Sequence, residues 1–560
     1  MSSKRKWEIL ARFKSGEEVS IKRIVERLLL NRGIKGQKEK KEFFQPTHPE
    51  KISLRKFGID SKDVKKTIER IKKAKEKKEK VIVYGDYDAD GICGTAIIWE
   101  VLFAWGLKVL PYIPERFSEG YGLNEKTVER LKEEDKNLKL IIAVDNGIVA
   151  FEAVKKANNL GIDVIICDHH EKGEKYPQAH SIIHTANISA SAIAWVLSRE
   201  IRKKFKYQKV SSNKYGDGLE LAGIGTIADQ LPLVGVNRSF AKHGLVALNK
   251  TKRKGLKALF EQAMLKPGLI DTYAVGFIIA PRINAMGRLE HAIESLRLLC
   301  TKNPTKARDL AFVLGKVNSR RQKIVEKALV HARRLLAKKK NRKIVILADD
   351  SYHEGVIGLM ASEIVEELNR PTIVIAKGRK ISKASARSIP KFNLIKFLRS
   401  EEALLEELGG HSMAAGFSLM TNKIDKFCQK IEKKAARLLT KELLMPISKI
   451  DLELDFAKIN YLLAEKLKQF EPVGIANPTP TFLTKDLCVL DARVVGRDGK
   501  HLKLKLEKEG KAFWAIAFGL GDYFPKIRPD KKIDVVYSLE LNEWNGDINV
   551  ELKIKDIKID

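Results

Sequence analysis

The chain has 560 residues, of which 44% are hydrophobic and 31% charged, so it is long enough for several folded domains and its composition excludes a disordered protein. Its 105 lysines and arginines outweigh 71 acidic residues, and the net charge of +34 favours a polyanionic partner such as nucleic acid. A generally lysine-rich proteome would give the same charge. The sequence has no apolar run long enough for a membrane span and no signal segment, and its five cysteines are scattered singly, so we expect a cytoplasmic protein that binds no membrane.

The first part of the chain predicts a parallel sheet. Residues 1–60 are basic, and we expect them to be irregular, whereas Val64, Ile68 and Ile71 recur at helical spacing and predict a helix over 61–80. Short apolar runs then alternate with helical stretches: VIVYG (81–85), LIIAVDNG (140–147) and VIICDHH (164–170). Apolar strands without polar alternation, separated by helices, indicate a parallel sheet covered on both faces.

The second part predicts further elements in chain order. A helical region over 218–338 ends in a long, charged connecting helix. A second α/β unit follows, with the segments KIVILADD (343–350), PTIVIAKG (371–378) and GGHSMAAGFSL (409–419). Beyond residue 446, short alternating strands with Gly and Asn-Gly turns predict a small β-barrel such as an OB-fold. The predicted fold class is therefore α/β, with two α/β units, a connecting helix and a C-terminal barrel.

Acidic and imidazole residues follow three of the predicted strands, at the edge where parallel α/β sheets bind ligands. They are Asp86, Asp88 and Asp90 after the first strand, Asp145 after the second, and Asp168, His169 and His170 after the third. Crowded carboxylates repel one another, and cations relieve that repulsion. Oxygen and imidazole ligands without thiolates favour Mn²⁺ or Mg²⁺. DxDxDG alone could be a calcium loop, and a His-His pair alone a packing feature, but three such elements at three strand ends predict a metal site.

At these residues the sequence resembles a known family. DYDADG (86–91), VDNG (144–147), DHH (168–170) and GTIADQLPL (225–233) resemble the four phosphoesterase motifs of the DHH superfamily. Other segments are similar, in the same order, to its RecJ branch of single-strand-specific exonucleases: PERFSEGYGL (114–123), APRINAMGRLEHA (280–292), HEGVIGLMAS (353–362), ARSIPKFNL (386–394) and EPVGIANPTPTF (471–482). The resemblance covers nearly the whole chain.

The resemblance implies both domains and activity. The implied domains are a basic N-terminal segment over 1–60, a DHH domain over 61–305, a connecting helix over 306–342, a DHHA1 domain over 343–445 and an OB-fold over 446–560. The implied enzyme is a 5′→3′ exonuclease specific for single-stranded DNA, which releases 5′-mononucleotides in DNA repair and recombination. The expected partners are single-stranded DNA, a helicase and a single-strand-binding protein, and we expect a monomer.

The resemblance also implies roles for individual residues. Two divalent ions, Mn²⁺ or Mg²⁺, would be held by Asp88, Asp90, Asp145, His169 and Asp229, with Asp86 and His170 as auxiliary catalytic groups. Contacts to phosphate or nucleic acid are implied for Arg116, Tyr121, Arg282, Asn284, Arg288, Ser385, Arg387 and His411. Taken singly, each arginine is more typical of a surface residue than of a phosphate ligand, and the glycines around His411 are equally typical of a tight turn between a helix and a strand.

The sequence departs from the family pattern at several positions. Tyr84 stands where many DHH proteins carry a metal-binding histidine, so we expect one ligand fewer. Ser189 and Ser191 replace glycines, His184-Thr185 replaces Asn-Pro, and Ala384 and Ala476 each replace a glycine. These changes affect backbone packing and leave the metal ligands intact, so they bear on the DNA channel and not on hydrolysis.

Two other functions compete with the exonuclease. A phosphodiesterase acting on short oligonucleotides would need no OB-fold, and the 446–560 region argues against it. A scaffold that binds DNA without cleaving it would not need the acidic set, which is intact. Five aromatic residues of the last domain could stack on bases or fill the barrel core: Phe513, Trp514, Phe518, Tyr537 and Trp544.

Overall fold

A computed structural model describes residues 5–14, 16–205, 217–337, 342–496, 498–529, 531–544 and 546–559. The chain divides into two units. The larger unit comprises Glu8–Ile283, Ala292–Ala311 and Lys449–Asp560, and the smaller unit is built mainly from Asn284–His291 and Phe312–Ser448. No helix in the described part of the chain is long and apolar enough to cross a lipid bilayer.

The described residues among the first 60 include a strand and three α-helices, so the expectation of an irregular segment is wrong. They form β1 (Lys6–Ile9), α1 (Ile21–Asn31), α2 (Gln37–Phe44) and α3 (Leu54–Phe57), and α4 (Ser61–Glu76) follows. Helix α1 begins after Ser20, whose side chain accepts a hydrogen bond from the Arg23 N–H. Its buried face, which includes Ile24 and Leu28, joins the core of the C-terminal barrel. Tertiary packing therefore stabilises a helix whose apolar stripe is narrow and flanked by charges.

The predicted parallel sheet is confirmed. Its elements are β2 (Lys80–Gly85), α5 (Ala89–Ala104), β3 (Lys108–Tyr112), α6 (Glu125–Glu134), β4 (Leu138–Val144), α7 (Phe151–Asn159), β5 (Asp163–Asp168), β6 (Ser181–His184) and α8 (Ala190–Lys204). The strand order is β3-β2-β4-β5-β6, and every pair is parallel. Strands β2, β4 and β5 are buried along nearly their whole length, which explains why their sequences lack polar alternation.

The helical region that the sequence predicts over 218–338 is present. It comprises α9 (Leu219–Ala228), α10 (Gly235–Asn249), α11 (Lys254–Gln262), a π-helix (Ala274–Ile279), α12 (Ala280–Leu289), α13 (Ile293–Cys300) and α14 (Pro304–Ala337). Helix α14 is the long helix of the fold, with 34 residues, a length of about 50 Å at 1.5 Å per residue.

A mixed sheet forms the centre of the smaller unit. Its elements are β7 (Val345–Asp349), α15 (Ile357–Leu368), β8 (Thr372–Ala376), β9 (Ile381–Arg387), α16 (Leu394–Arg399), β10 (Glu407–Gly410), β11 (Ala414–Met420) and α17 (Ile424–Leu438). The strand order is β10-β11-β9-β8-β7, with β7 and β8 parallel and the other pairs antiparallel. This is the second α/β unit that the sequence predicts.

The last segment closes into a barrel. Its elements are β12 (Ile447–Ile450), β13 (Leu452–Glu453), α18 (Tyr461–Lys468), β14 (Phe482–Val495), β15 (His501–Lys508), β16 (Lys511–Ala517), β17 (Lys532–Trp544) and β18 (Asp547–Ile559). Strands β14, β15, β16, β18 and β17 pair in that order, and β17 pairs back with β14. The predicted OB-type barrel is confirmed. Strand β12 also pairs with β1.

The aromatic residues of the barrel divide between core and surface. Tyr537 is fully buried and its hydroxyl contacts the Thr484 hydroxyl at 2.8 Å, so it belongs to the core. Phe513 packs against the core from a partly buried position, and Phe518 is exposed. Trp514 is half-buried, and the side chain of Trp544 lies outside the described part of the structure.

Candidate metal centre and phosphate contacts

The first acidic motif spans the end of β2 and the start of α5. Asp86 follows the strand directly, and Asp88 caps the helix, with its carboxylate accepting hydrogen bonds from the N–H groups of Asp90 and Gly91. A Cβ at position 91 would lie 2.7 Å from the Asp86 backbone oxygen. Glycine therefore lets the helix begin against Asp86 and brings the carboxylates of the motif together.

The second motif holds Asp145 in an unusual backbone conformation. Its φ of 65° lies in the left-handed region, which costs a residue other than glycine of order 1 kcal/mol or more. The Asp145 N–H donates to the Cys167 carbonyl on the neighbouring strand, and its Oδ1 lies 3.3 Å from Nε2 of His169. The strained turn thus directs the carboxylate toward the third motif.

Asp168 orients the third motif. Its carboxylate accepts hydrogen bonds from the Ile148 N–H at 3.0 Å, from the His169 N–H at 2.7 Å and from Nδ1 of His170 at 2.7 Å. Burial raises the pKa of Asp168, but the hydrogen bond and charge of His170 and the backbone donors outweigh it, and the net shift is downward. The same pairing outweighs the burial of His170 and raises its pKa to about 9.

Asp90 is held by a helix N-terminus. It is 1% exposed, and its two oxygens accept hydrogen bonds from the N–H groups of Ala190 and Ser191 at 2.7 and 3.1 Å, where α8 begins. The Ser189 side chain caps the same helix. A Cβ at Gly225 would collide with both Asp90 and Ser191. Ser189 and Ser191, which replace glycines of the family pattern, therefore lie beside a candidate metal ligand. They are closer to the metal site than the sequence alone predicts.

The structure brings all seven predicted catalytic residues together. Three groups of side chains have ligand atoms within 4.8 Å of one another: Asp86, Asp88 and Asp145; Asp90, His169 and Asp229; and Asp145, His169 and His170. Asp229 reaches the cluster from the C-terminal end of α9, and its Oδ2 lies 3.5 Å from Nε2 of His169. The shared residues make one continuous site at the carboxyl edge of the sheet.

The electrostatics of this site suit divalent cations. Burial, together with the charges of neighbouring carboxylates, raises the pKa of Asp86, Asp88 and Asp145, and it raises that of Asp229 to about 8. The Oδ1 atoms of Asp86 and Asp145 are buried and have no hydrogen-bond partner among the described residues. Buried carboxylate oxygens without a partner are costly, and Mn²⁺ or Mg²⁺ would supply the missing charge.

Tyr84 takes no part in the cluster. It is fully buried on β2, and its hydroxyl donates to the Gly122 carbonyl at 3.0 Å. The phenol therefore fills a core position and stabilises the loop that carries Tyr121.

A series of ring contacts connects Arg116 and Tyr121 to the acidic cluster. The Arg116 guanidinium lies over the Tyr87 ring at 5.1 Å, and the Tyr87 and Tyr121 rings meet edge to face at 6.0 Å. The Tyr121 hydroxyl lies 3.1 Å from Nε2 of His170. Sequence reasoning missed Tyr87, although its place inside DYDADG was a signal. Arg282 instead donates to Gln262 and to the Ile278 carbonyl, both at 2.9 Å.

The remaining predicted phosphate residues belong to the smaller unit. Arg387 donates to Oγ of Ser385 at 3.0 Å, and a Cβ at Gly358, in the first turn of α15, would lie 3.1 Å from both side chains. Burial lowers the pKa of the Arg387 guanidinium. Arg288 donates to the carbonyl of Gly355, three residues before Gly358. Sequence reasoning missed the roles of these two glycines, which the motif HEGVIGLM contains.

Two further predicted residues, Asn284 and His411, also belong to this unit. Oδ1 of Asn284 is buried and has no hydrogen-bond partner among the described residues. His411 is exposed in the turn between β10 and β11, where its N–H donates to the Ala414 carbonyl at 2.7 Å.

Known proteins match this chain over its whole length. Family models match in order: the N-terminal domain of the DHH family over 80–224, the DHHA1 domain over 339–437 and the RecJ OB domain over 450–556. The single-stranded-DNA-specific exonuclease RecJ of Bacillus subtilis is 33% identical over 568 residues, covering 100% of this chain and 71% of that protein. The RecJ of Haemophilus influenzae is 30% identical, covering 97% of each. The crystal structure of Thermus thermophilus RecJ in complex with Mn²⁺ has a TM-score of 0.80 at 29% identity, covering 99% of this chain and 79% of that one.

Proposed function

Because this chain belongs to the RecJ family of single-stranded-DNA-specific exonucleases, we propose that it degrades single-stranded DNA from the 5′ end and releases 5′-mononucleotides. The chain is a metal-dependent exonuclease of the DHH type. The proposal adds the polarity, the product and the residues that act.

The convergence of buried, unpartnered carboxylate oxygens at one sheet edge carries the proposal. One ion would be held by Asp86, Asp88 and Asp145, and the other by Asp90, His169 and Asp229. When bound there, two divalent ions supply an activated water and neutralise charge on the attacked phosphate. The ligand set fits the Mn²⁺ and Mg²⁺ of the Thermus structures.

Residues beside the ions would hold the scissile phosphate. His170 keeps a proton near neutral pH because Asp168 accepts from its Nδ1. Its Nε2–H then donates to the Tyr121 hydroxyl 3.1 Å away, and that hydroxyl would donate its own proton to a phosphate oxygen. Arg116, which stacks on Tyr87, adds a positive charge on the same side.

The 5′ end would be recognised by the smaller unit. Among the described residues no carboxylate pairs with Arg387, although its guanidinium is largely buried. A buried, uncompensated arginine favours an anion, and a guanidinium suits phosphate oxygens. Ser385, Arg288 and the N-terminus of α15 at Gly358 would complete a pocket for a terminal phosphate. Contacts to the strand are also proposed for Asn284, Arg282 and His411.

The setting of the enzyme follows from its substrate. Single strands in cells are produced by helicases and covered by single-strand-binding proteins, which we propose as partners of this enzyme in DNA repair and recombination. The five cysteines are all free, which suits the reducing cytoplasm. We propose that the enzyme acts there as a monomer.

A single assay tests the proposed function. Purified protein with Mn²⁺ is given a 5′-labelled single strand, its blunt duplex or a dinucleotide. We expect labelled 5′-mononucleotide from the single strand as the first product, loss of activity with EDTA, and loss in Asp145→Ala. Equal cleavage of the duplex, preference for the dinucleotide, or binding without cleavage would refute the proposal and favour a phosphodiesterase or a scaffold.

A further inference from the structure

Two aromatic side chains stack on each other in water. Tyr273 and Phe277, one turn apart at the π-helix (Ala274–Ile279), have ring centroids 4.8 Å apart and an interplanar angle of 24°. They are 62% and 70% exposed. Large aromatic side chains are mostly buried in folded proteins, so an exposed pair is a candidate binding surface where other observations support it. π-Helical turns also occur frequently at functional sites.

A positive charge lies beside the pair. The Arg282 guanidinium folds back along the helix and donates to the Ile278 carbonyl at 2.9 Å, one residue from Phe277. Gln262 holds it from the other side. A Cβ built on Gly276, between the two aromatic residues, would contact nothing within 4 Å, so the surface next to the rings is open.

The π-helix is also connected to the metal centre. It packs against α9, and α9 ends at Asp229, one of the proposed metal ligands. Both helices and the aromatic pair belong to the larger unit. The pair is therefore anchored to an element that forms part of the active site.

We propose that Tyr273 and Phe277 form a stacking platform for unpaired bases of the substrate strand, with Arg282 binding a neighbouring phosphate. The proposal rests on the proposed exonuclease function. An aromatic face next to a guanidinium matches a nucleotide, because the base offers a π face and the phosphate offers a charge. In a duplex the bases are stacked on one another and cannot reach such a platform, so the pair would favour single strands.

The test compares binding of 3′-fluorescein-labelled oligothymidylate to full-length variants by anisotropy, in EDTA so that nothing is cleaved. Phe277→Ala is expected to weaken binding by roughly 5- to 100-fold, the range of alanine substitutions at base-stacking positions. Phe277→Tyr, which keeps the ring, should bind like the wild type. Phe103→Ala is the matched control, because Phe103 is also exposed (56%) and stacked, on Trp99 at 5.2 Å. It should bind like the wild type.

A strand with abasic residues separates stacking from other roles. On this strand the wild type should bind as weakly as Phe277→Ala, because the platform then has no base to contact. Equal loss for the variant on both strands would overturn the proposal, since a structural or purely electrostatic role would not depend on the bases. Unchanged binding of Phe277→Ala to the normal strand would also overturn it and point to a protein partner. If instead the wild type neither binds nor cleaves any single strand, the proposed function fails, not the platform alone.

Discussion

Asparagine substitutions at two buried aspartates should differ in their effect on the stability of the metal-free protein. Both carboxylates belong to the same acidic cluster. Asp90 accepts two backbone hydrogen bonds at the start of α8, whereas Oδ1 of Asp145 has no hydrogen-bond partner among the described residues. Asp90 is thus stabilised by backbone donors, whereas Oδ1 of Asp145 has imidazole nitrogens nearby, His169 Nε2 at 3.3 Å, and gains most from bound cations.

The magnitudes follow from these contacts. In Asp90→Asn the amide oxygen still accepts one hydrogen bond, but the NH₂ group faces the other backbone N–H and cannot accept from it. The charge-assisted hydrogen bond that is lost is worth about 1.5–3 kcal/mol. The loss of the negative charge at the N-terminus of α8 costs about 1 kcal/mol more. The ligand atoms of each group lie within 4.8 Å of one another, and two ionised carboxylates at that separation would repel by about 3.5 kcal/mol at an effective dielectric of 20, which partial protonation reduces. We expect Asp90→Asn to lower the free energy of unfolding by about 1–3 kcal/mol and Asp145→Asn to leave it unchanged or raise it by about 1 kcal/mol.

The measurement is urea unfolding of both variants in EDTA and in Mn²⁺. Asp491→Asn is the surface control, since Asp491 pairs with Arg493 on the exposed face of the barrel and should change the free energy of unfolding by less than about 0.5 kcal/mol. In Mn²⁺ the wild type should gain stability by mass action, and both cluster variants should gain much less. If Asp145→Asn destabilises the metal-free protein as much as Asp90→Asn does, the reasoning about unpartnered and partnered carboxylates is refuted.

Three further predictions follow from the same contacts. In EDTA, the contribution of Asp229 to the free energy of unfolding should fall as the pH rises from about 4 to about 8, because its pKa is raised to about 8 in the folded state and the folded protein therefore holds this proton more tightly than the unfolded chain does; urea titrations in which the difference between the wild type and Asp229→Asn does not fall over this range would contradict it. Arg387→Lys should reduce turnover of 5′-phosphorylated strands by roughly tenfold and hardly affect strands with a 5′ hydroxyl, because an ammonium cannot bind phosphate oxygens bidentately; an equal loss on both strands in steady-state kinetics would rule out a terminal phosphate pocket. Gly225→Ala should weaken Mn²⁺ binding in calorimetry and lower the melting temperature, because its Cβ would collide with Asp90 and Ser191; wild-type values would show that the helix shifts without cost.

Much of the fold could be predicted because local patterns determine it. The apolar runs of β2, β4 and β5 are buried on both faces, so their sequences show uninterrupted hydrophobicity. Parallel strands bring their carboxyl ends together, so the positions of Asp86, Asp145 and the third motif predicted one site. The helices of the first 60 residues were missed, although Ser20 and the apolar residues of α1 were visible, because charged residues surround the narrow stripe that packs on the barrel.

Other features depend on tertiary contacts that spacing cannot reveal. The hydrogen bonds from Ala190 and Ser191 to Asp90 span about a hundred residues of sequence. The sequence therefore could not predict that Ser189 and Ser191 lie at the helix start that holds Asp90. The proximity of Gly358 to Arg387 likewise depends on how α15 lies over β9. Tyr84 could be identified as a departure, but only the structure shows its hydroxyl bound to the Gly122 carbonyl.

The number and proximity of bound ions test the central claim most directly. Metal-free protein is titrated with Mn²⁺ and followed by electron paramagnetic resonance, which detects spin coupling between neighbouring ions. We expect two ions per chain with coupled spectra in the wild type, and loss of the coupling in Asp145→Asn, because Asp145 lies between the two ligand groups. A single uncoupled ion in the wild type, or coupling that survives in Asp145→Asn, would contradict it.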